Sequence, residues 1–183
     1  ANPFFHLLES MWMLAGRNDV EGVAKYAAHM KSFSTDGDTF HGAYGHRIRN
    51  HFGYDQFKLA VKRLKKFPGD RRTVIQMWDG SIDLTDNNSE LDHPCNTAMY
   101  LSVANGELNM TVTNRSNDML WGSYGANAVH FSFMQEYLAS AIGVGVGTYY
   151  QVSNNLHAYQ DFGPWNKVKD LTEVKCPYST EEF

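Results

Sequence analysis

The feature that most restricts how this chain can fold is Asn105-Gly106, standing between two runs of strand-forming residues, 98–104 and 107–113. Residues that tolerate positive φ, flanked by alternating apolar positions, predict a tight β-hairpin. Leu108, Met110 and Val112 alternate with Asn109, Thr111 and Thr113, so the second strand has one apolar and one polar face. The remaining elements must cover the apolar face. Phe4, Leu7, Leu8, Met11, Trp12 and Ala15, after Asn2-Pro3 and before Gly16, predict a helix whose apolar stripe enters the core. Residues 54–66 predict another, with Phe57, Ala60, Val61 and Leu64 inward and Lys58, Lys62, Lys65 and Lys66 outward. A short helix is expected over 17–29 and a long one over 127–142. Residues 73–78 read as a buried strand, 144–152 as another strand, and 34–38 and 80–93 as loops. This order predicts one α+β domain over residues 1–183, a mixed β-sheet with packed helices.

Composition narrows the function classes. At 43% hydrophobic and 20% charged, the 183 residues can bury a sizeable core. A net charge of −4 argues against nucleic acid or an anionic membrane as partner, so any anion must meet a local cluster. No apolar run approaches a membrane span. The two cysteines, Cys95 and Cys176, show no metal-ligand spacing and the eight histidines form no HExxH pattern, so no metal is expected. A cytoplasmic setting is the expectation.

Candidate chemistry lies in four places. Cys95, in His93-Pro94-Cys95-Asn96, follows a polar loop and precedes a strand; it reads as a nucleophile or as a small buried hydrophobe. Arg115, Ser116 and Asp118 stand at the far end of the hairpin, as a phosphate or heterocycle site or as a hydrogen-bonded turn. Arg71-Arg72 is a second anion candidate or a solvated pair. His157 and Tyr159 are placed to share a strand face.

Together these pieces resemble the thymidylate synthase family in order and spacing from about residue 5 to 160. The carriers are Glu9-x-x-Trp12 with Gly16, Tyr44-Gly45-x-x-x-Arg49, Arg71-Arg72 before Trp78, Pro94-Cys95, Arg115-Ser116-x-Asp118 with Gly122 and Asn127, and His157-x-Tyr159. The resemblance implies a thymidylate-synthase-like fold and one-carbon transfer from 5,10-methylenetetrahydrofolate to C5 of a pyrimidine nucleoside monophosphate, with dUMP favoured. Cys95 would attack C6, because C5 becomes nucleophilic only when a covalent bond at C6 pushes electrons towards it. Arg115 and Ser116 would bind phosphate, and Arg115 would favour the thiolate. Arg71 and Arg72 would reach the site of the other subunit of a homodimer. Asp118 would hold the pterin, Asn127 the base edge, and His157 and Tyr159 the ribose. Glu9 would order water and protons, with Tyr44 also in the catalytic set.

The chain departs from the family at several points. Asn96 replaces the histidine that usually follows the cysteine, and one extra residue within 123–126 is needed to bring Asn127 to the base. Met30 and Phe33 stand where tryptophans line the folate pocket. An N-terminal arginine loop and a C-terminal closing segment have no counterpart. These departures keep open an alternative, a dUMP or dCMP 5-hydroxymethylase of the same superfamily. A further alternative is a non-catalytic nucleotide-binding protein, which the presence of Cys95, Arg115 and Ser116 opposes.

Overall fold

A computed structural model describes residues 2–85 and 89–159. The first helix, α1 (Pro3–Leu14), is capped by the Asn2 side chain, which accepts from the Phe4 and Phe5 N–H groups at 3.1 and 3.3 Å. α2 (Val20–Ala24) is followed by a 3-10 turn at Ala28–Phe33. The single helix expected over 17–29 is thus divided, because Ala27 leaves helical geometry at φ −145°, ψ 81°. α3 (Tyr44–His46) runs into a π turn at Arg47–His51, and α4 (Gln56–Lys66) is capped by Asp55. α4 buries Phe57, Ala60 and Leu64 and exposes its four lysines, as its periodicity predicts.

Then come β1 (Val74–Gln76), α5 (Gly80–Asp83), β2 (Asn96–Ala104), β3 (Glu107–Asn114) and β4 (Asn117–Asp118). A π turn (Met119–Ser123), α6 (Ala126–Ile142), β5 (Gly145–Ser153) and β6 (Leu156–His157) complete the described elements. The sheet order is β1-β2-β3-β5, with antiparallel pairs at β1/β2 and β2/β3 and a parallel pair at β3/β5. It is therefore mixed, as expected, and β4 and β6 add a small parallel pair. At the hairpin Asn105 and Gly106 have φ of 53° and 78°, the two left-handed positions that a two-residue turn needs.

Leu108, Met110 and Val112 are buried and pack in one cluster with Phe131, Met134 and Leu138 of α6 and Phe57 and Leu64 of α4. Each such side chain contributes about 1.5–3 kcal/mol. Gln135 of α6 donates its amide to the Leu108 carbonyl at 2.8 Å, tying helix to sheet. The opposite sheet face exposes Val74, Tyr100, Tyr150 and Val152, and register places Val74, Tyr100, Thr111 and Tyr150 in one row.

Three expectations are corrected. Of the α1 stripe Trp12 enters the core, whereas Phe4 and Met11 are 76% and 59% exposed and Leu7 and Leu8 also face outward. Because α1 packs on α3 and α6 through a rotated face, Glu9, Ser10 and Met13 are buried beside Trp12. The strand near residues 73–78 is buried on one face only, since β1 is an edge strand with one side of the sheet covered. Within 80–93 the chain makes a helical turn, α5, because Asp79 caps it by accepting from Ser81 N–H at 3.0 Å. Cys176 lies outside the described residues.

Candidate active site

β2 and β3 end side by side, and this places Cys95 beside Arg115. The Arg115 N–H donates to the Cys95 carbonyl at 2.9 Å, while its guanidinium donates to the carbonyls of Pro94 (2.9 Å) and His93 (3.2 Å). Held by these bonds, Arg115 brings Nη2 to 3.7 Å from Cys95 Sγ and lies over the Trp78 ring. The pull of Arg115 towards the thiolate is opposed here. Burial pushes the Cys95 thiol above its ordinary pKa, and this outweighs the opposing pull of Arg115, with Asp92 pushing further in the same direction. Asn96 pairs in the interior with Asn114, so its amide serves the β2–β3 junction.

Tyr44 and Asp92, which adjoin Cys95, also line a cleft of about 720 Å³ whose walls include Glu9, Met30, Trp121 and Ala126 but neither Cys95 nor Arg115. Its size suits an organic ligand. Tyr44 belongs both to this wall and to the surroundings of Cys95: its hydroxyl accepts from the Asn96 N–H at 3.4 Å, and burial raises its pKa. Asp92 accepts from the Gly42 N–H at 3.0 Å, and burial raises its pKa as well. The Met30 expected at a folate site is therefore on a cavity wall. Phe33 shares it.

Asn117 organises the other side. Its amide donates to Gln151 Oε1 at 2.9 Å and Ser153 Oγ at 3.0 Å, and its carbonyl oxygen accepts from Asn127 Nδ2 at 3.1 Å. Gly122 lies against this pair so closely that a Cβ there would collide with the Asn117 amide oxygen and stand 2.8 Å from Asn127 Nδ2. Upstream, the Tyr124 N–H donates to the Met119 carbonyl five residues back, at 3.1 Å. This π turn, wider than an α turn, closes just before α6, which carries Asn127. Ala126, its neighbour, lines the cleft. Asp118 caps the π turn, Oδ1 accepting from the N–H groups of Leu120 and Trp121 at 3.0 and 2.6 Å. β4–β6 pairing sets Asp118 opposite His157, whose ring meets that of Tyr159 edge-on at 5.0 Å. Ser116 is half-buried between Arg115 and Asn117.

Arg71 and Arg72 are not brought to this cluster. Both are exposed just before β1, and Arg72 Nε is 3.4 Å from Asp70, a carboxylate already gripped by Arg63 at 2.7 and 2.9 Å.

The family profile described as thymidylate synthase matches residues 5–173. The chain belongs to the thymidylate synthase family. It is 54% identical over 175 residues, 95% of this chain, to a deoxyuridylate hydroxymethyltransferase of Pseudomonas phage M6, and 40% identical over 94% of this chain to that of Bacillus phage SP01. It covers 49% and 48% of those proteins, and so spans about half the length of the curated relatives it matches. Among solved structures it resembles thymidylate synthase from T4 phage, with a TM-score of 0.73, 21% identity and coverage of 93% of this chain and 64% of that one. Thermostable thymidylate synthase A from Bacillus subtilis gives a TM-score of 0.70 at 24% identity, over 85% of this chain and 57% of that one. The α+β fold read from the hairpin and helices is thus the family's.

Against that family pattern the sequence reading left some residues of the site unnoticed. Trp121 puts an indole on the cleft wall, its ring edge-on at 6.3 Å to His29, the neighbour of Met30. His6 and His130 gather around Glu9, with His130 Nε2 3.0 Å from Glu9 Oε2. A signal was present, since His6 precedes Glu9 by three positions and His130 follows Asn127 by three, spacings that share a helix face. None of the described helices is long and apolar enough to cross a membrane.

Gly122 gives a stability test of the Asn117–Asn127 junction. Gly122→Ala is expected to cost about 1–3 kcal/mol by overpacking, a fall in Tm of about 2–12 °C. A thermal melt matching the parent would mean that the two amides move aside freely.

Proposed function

We propose that this chain transfers a one-carbon unit from 5,10-methylenetetrahydrofolate to C5 of deoxyuridylate through a covalent Cys95 adduct, and that water then captures the unit as a hydroxymethyl group. The observation that carries the reading is the Cys95–Arg115 pair set beside a cleft lined by Glu9, Tyr44 and Asp92. The phage relatives named deoxyuridylate hydroxymethyltransferase favour the hydroxymethyl outcome over the methyl one.

The folate supplies a methylene at the oxidation level of formaldehyde. The cleft volume and the walls formed by Met30 and Trp121 fit a flat pterin, and Asp118 keeps Oδ2 free of its capping bonds for a pterin N–H. Arg115 and Ser116 bind the nucleotide phosphate. His157 and Tyr159 meet the ribose, and Asn127 the base. Cys95 adds to C6 as a thiolate, so its proton has to leave when substrate binds; Arg115, Asp92 and Tyr44 are close enough to influence that step. Incubation with dUMP and the folate should yield 5-hydroxymethyl-dUMP and tetrahydrofolate by mass spectrometry. Thymidylate with dihydrofolate would overturn the hydroxymethyl reading.

The second part of the proposal is a homodimer with shared sites. The exposed apolar row on the sheet, Val74, Tyr100 and Tyr150, supports pairing through that face, and Arg72 stands just before β1 with its side chain 83% exposed. Mixing inactive Cys95→Ser and inactive Arg72→Ala subunits is expected to recover about a quarter of parental activity, since half of the random dimers carry one intact site. Isolated heterodimers without activity would oppose shared sites.

A further inference from the structure

Where α1 crosses α6, three polar side chains meet. Glu9 and His130 are 8% and 2% exposed, with His130 Nε2 3.0 Å from Glu9 Oε2, and His6 stands with its ring edge-on to His130 at 5.5 Å. One ligand-capable atom from each of the three lies within 4.8 Å of the others. His6 Nδ1 and His130 Nε2 are both buried and both lack a hydrogen bond, the close approach of His130 to Glu9 being misaligned for one. Buried polar atoms rarely stay unpaired, and a water with two to four polar neighbours is the usual remedy. His6 and Glu9 also line the cleft, so a water among them would sit on its wall.

We propose that His6 and His130 join Glu9 in holding and deprotonating the water that captures the one-carbon unit, and so decide that the product is hydroxymethyl. This rests on the hydroxymethyl reading above. Once the folate has left and the C5 proton is gone, the nucleotide carries an exocyclic C5=CH2 group with Cys95 still on C6. The water oxygen bonds to that carbon, and the π electrons move to the C4 oxygen. The water proton passes to Glu9 and into the histidine pair. Collapse of the C4 enolate forms C5=C6 and breaks the C6–S bond, and the departing Cys95 thiolate takes up a proton. Nothing is oxidised, which is why tetrahydrofolate leaves unchanged. A neutral imidazole can both accept and donate a proton, and burial, reinforced by His130, holds the His6 pKa below its ordinary value.

The test separates capture of the unit from its formation. Release of tritium from [5-3H]dUMP reports formation of C5=CH2, and added 2-mercaptoethanol competes with water to give a 5-thioether. His130→Phe and His6→Phe are expected to keep tritium release within about threefold while the ratio of hydroxymethyl product to thioether falls about 10- to 100-fold. His130→Gln should restore part of that ratio. An unchanged ratio in folded variants would overturn the relay, as would an equal fall in tritium release and product, which marks a structural role. Should His130→Phe fail to fold, His6→Phe at the edge of the cleft carries the same test. Stoichiometric zinc in the purified protein, lost together with activity on chelation, would make the three side chains metal ligands and overturn the relay. If the parent makes only thymidylate, the hydroxymethyl reading fails before any variant is examined, and the two failures are told apart.

Discussion

Cys95→Ser is expected to lower turnover of dUMP by at least about 10⁴-fold while leaving the circular dichroism spectrum and nucleotide binding unchanged. The serine hydroxyl keeps the shape of the side chain and its place before β2, but it is a far weaker nucleophile than a thiolate. The Arg115 bonds to the carbonyls of His93, Pro94 and Cys95 do not involve the thiol, so the proposed phosphate and base contacts should survive the substitution. Retention of more than about a tenth of the activity would refute covalent catalysis by Cys95. Alkylation adds a sign test. Because burial holds the thiol pKa up, iodoacetamide should label the free protein faster as pH rises through and beyond about 8.5, where an ordinary thiol would already be levelling off. Arg115 pulls the pKa down, so Arg115→Ala should push it higher still and slow labelling at a fixed pH. Faster labelling in that variant would contradict the assigned electrostatics. Cys176→Ala, in contrast, is expected to leave turnover unchanged.

The hairpin and the α4 face were legible because each depends on local pattern, whereas the meeting of Cys95 with Arg115 was implied by the family resemblance and is explained by the register that one turn imposes. Asn105-Gly106 sets the β2–β3 pairing, and that pairing carries residues 95 and 115 to the same end. The rotation of α1 was not legible. Apolar residues surround much of that helix, and only its partners α3 and α6 select the face with Glu9 and Trp12 over the face with Phe4 and Met11. The two π turns also leave no periodic trace, since one widened turn shifts the phase of the downstream residues without repeating. For the thiol, residue types suggested the sign of the Arg115 effect. How deeply Cys95 is buried depends on the whole packed site, and burial decides the direction. His6, Glu9 and His130 show the same limit: each helix displays its own i, i+3 pair, but nothing in either pair announces that α1 and α6 cross at that point.

dUMP is expected to exceed dCMP by about 10²–10⁴ in kcat/KM, because a site built around a fixed donor and acceptor rejects a base that reverses them. Uracil presents O4 as acceptor and N3–H as donor, whereas cytosine presents an amino donor and a bare ring nitrogen. An asparagine could suit either base by turning its amide over, and what prevents this is the relay behind it. Asn127 Nδ2 donates to Asn117 Oδ1, while Asn117 Nδ2 is committed to Gln151 Oε1 and Ser153 Oγ. Turning the Asn127 amide would set oxygen against oxygen at Asn117, and turning Asn117 in response would set its oxygen against Gln151 Oε1. If Asn127 meets the base as proposed, the network holds its Oδ1 for N3–H and its second amide hydrogen for O4. Asn127→Ala should cut the preference at least about tenfold, mainly by weakening dUMP. Gln151→Ala, three contacts removed from the base, should also reduce it, to a smaller extent, because the Asn117 amide is then freer to turn. If Ala126 rather than Asn127 faces the base, both variants will keep the parental dUMP to dCMP ratio, and that result would move base selection away from this relay altogether.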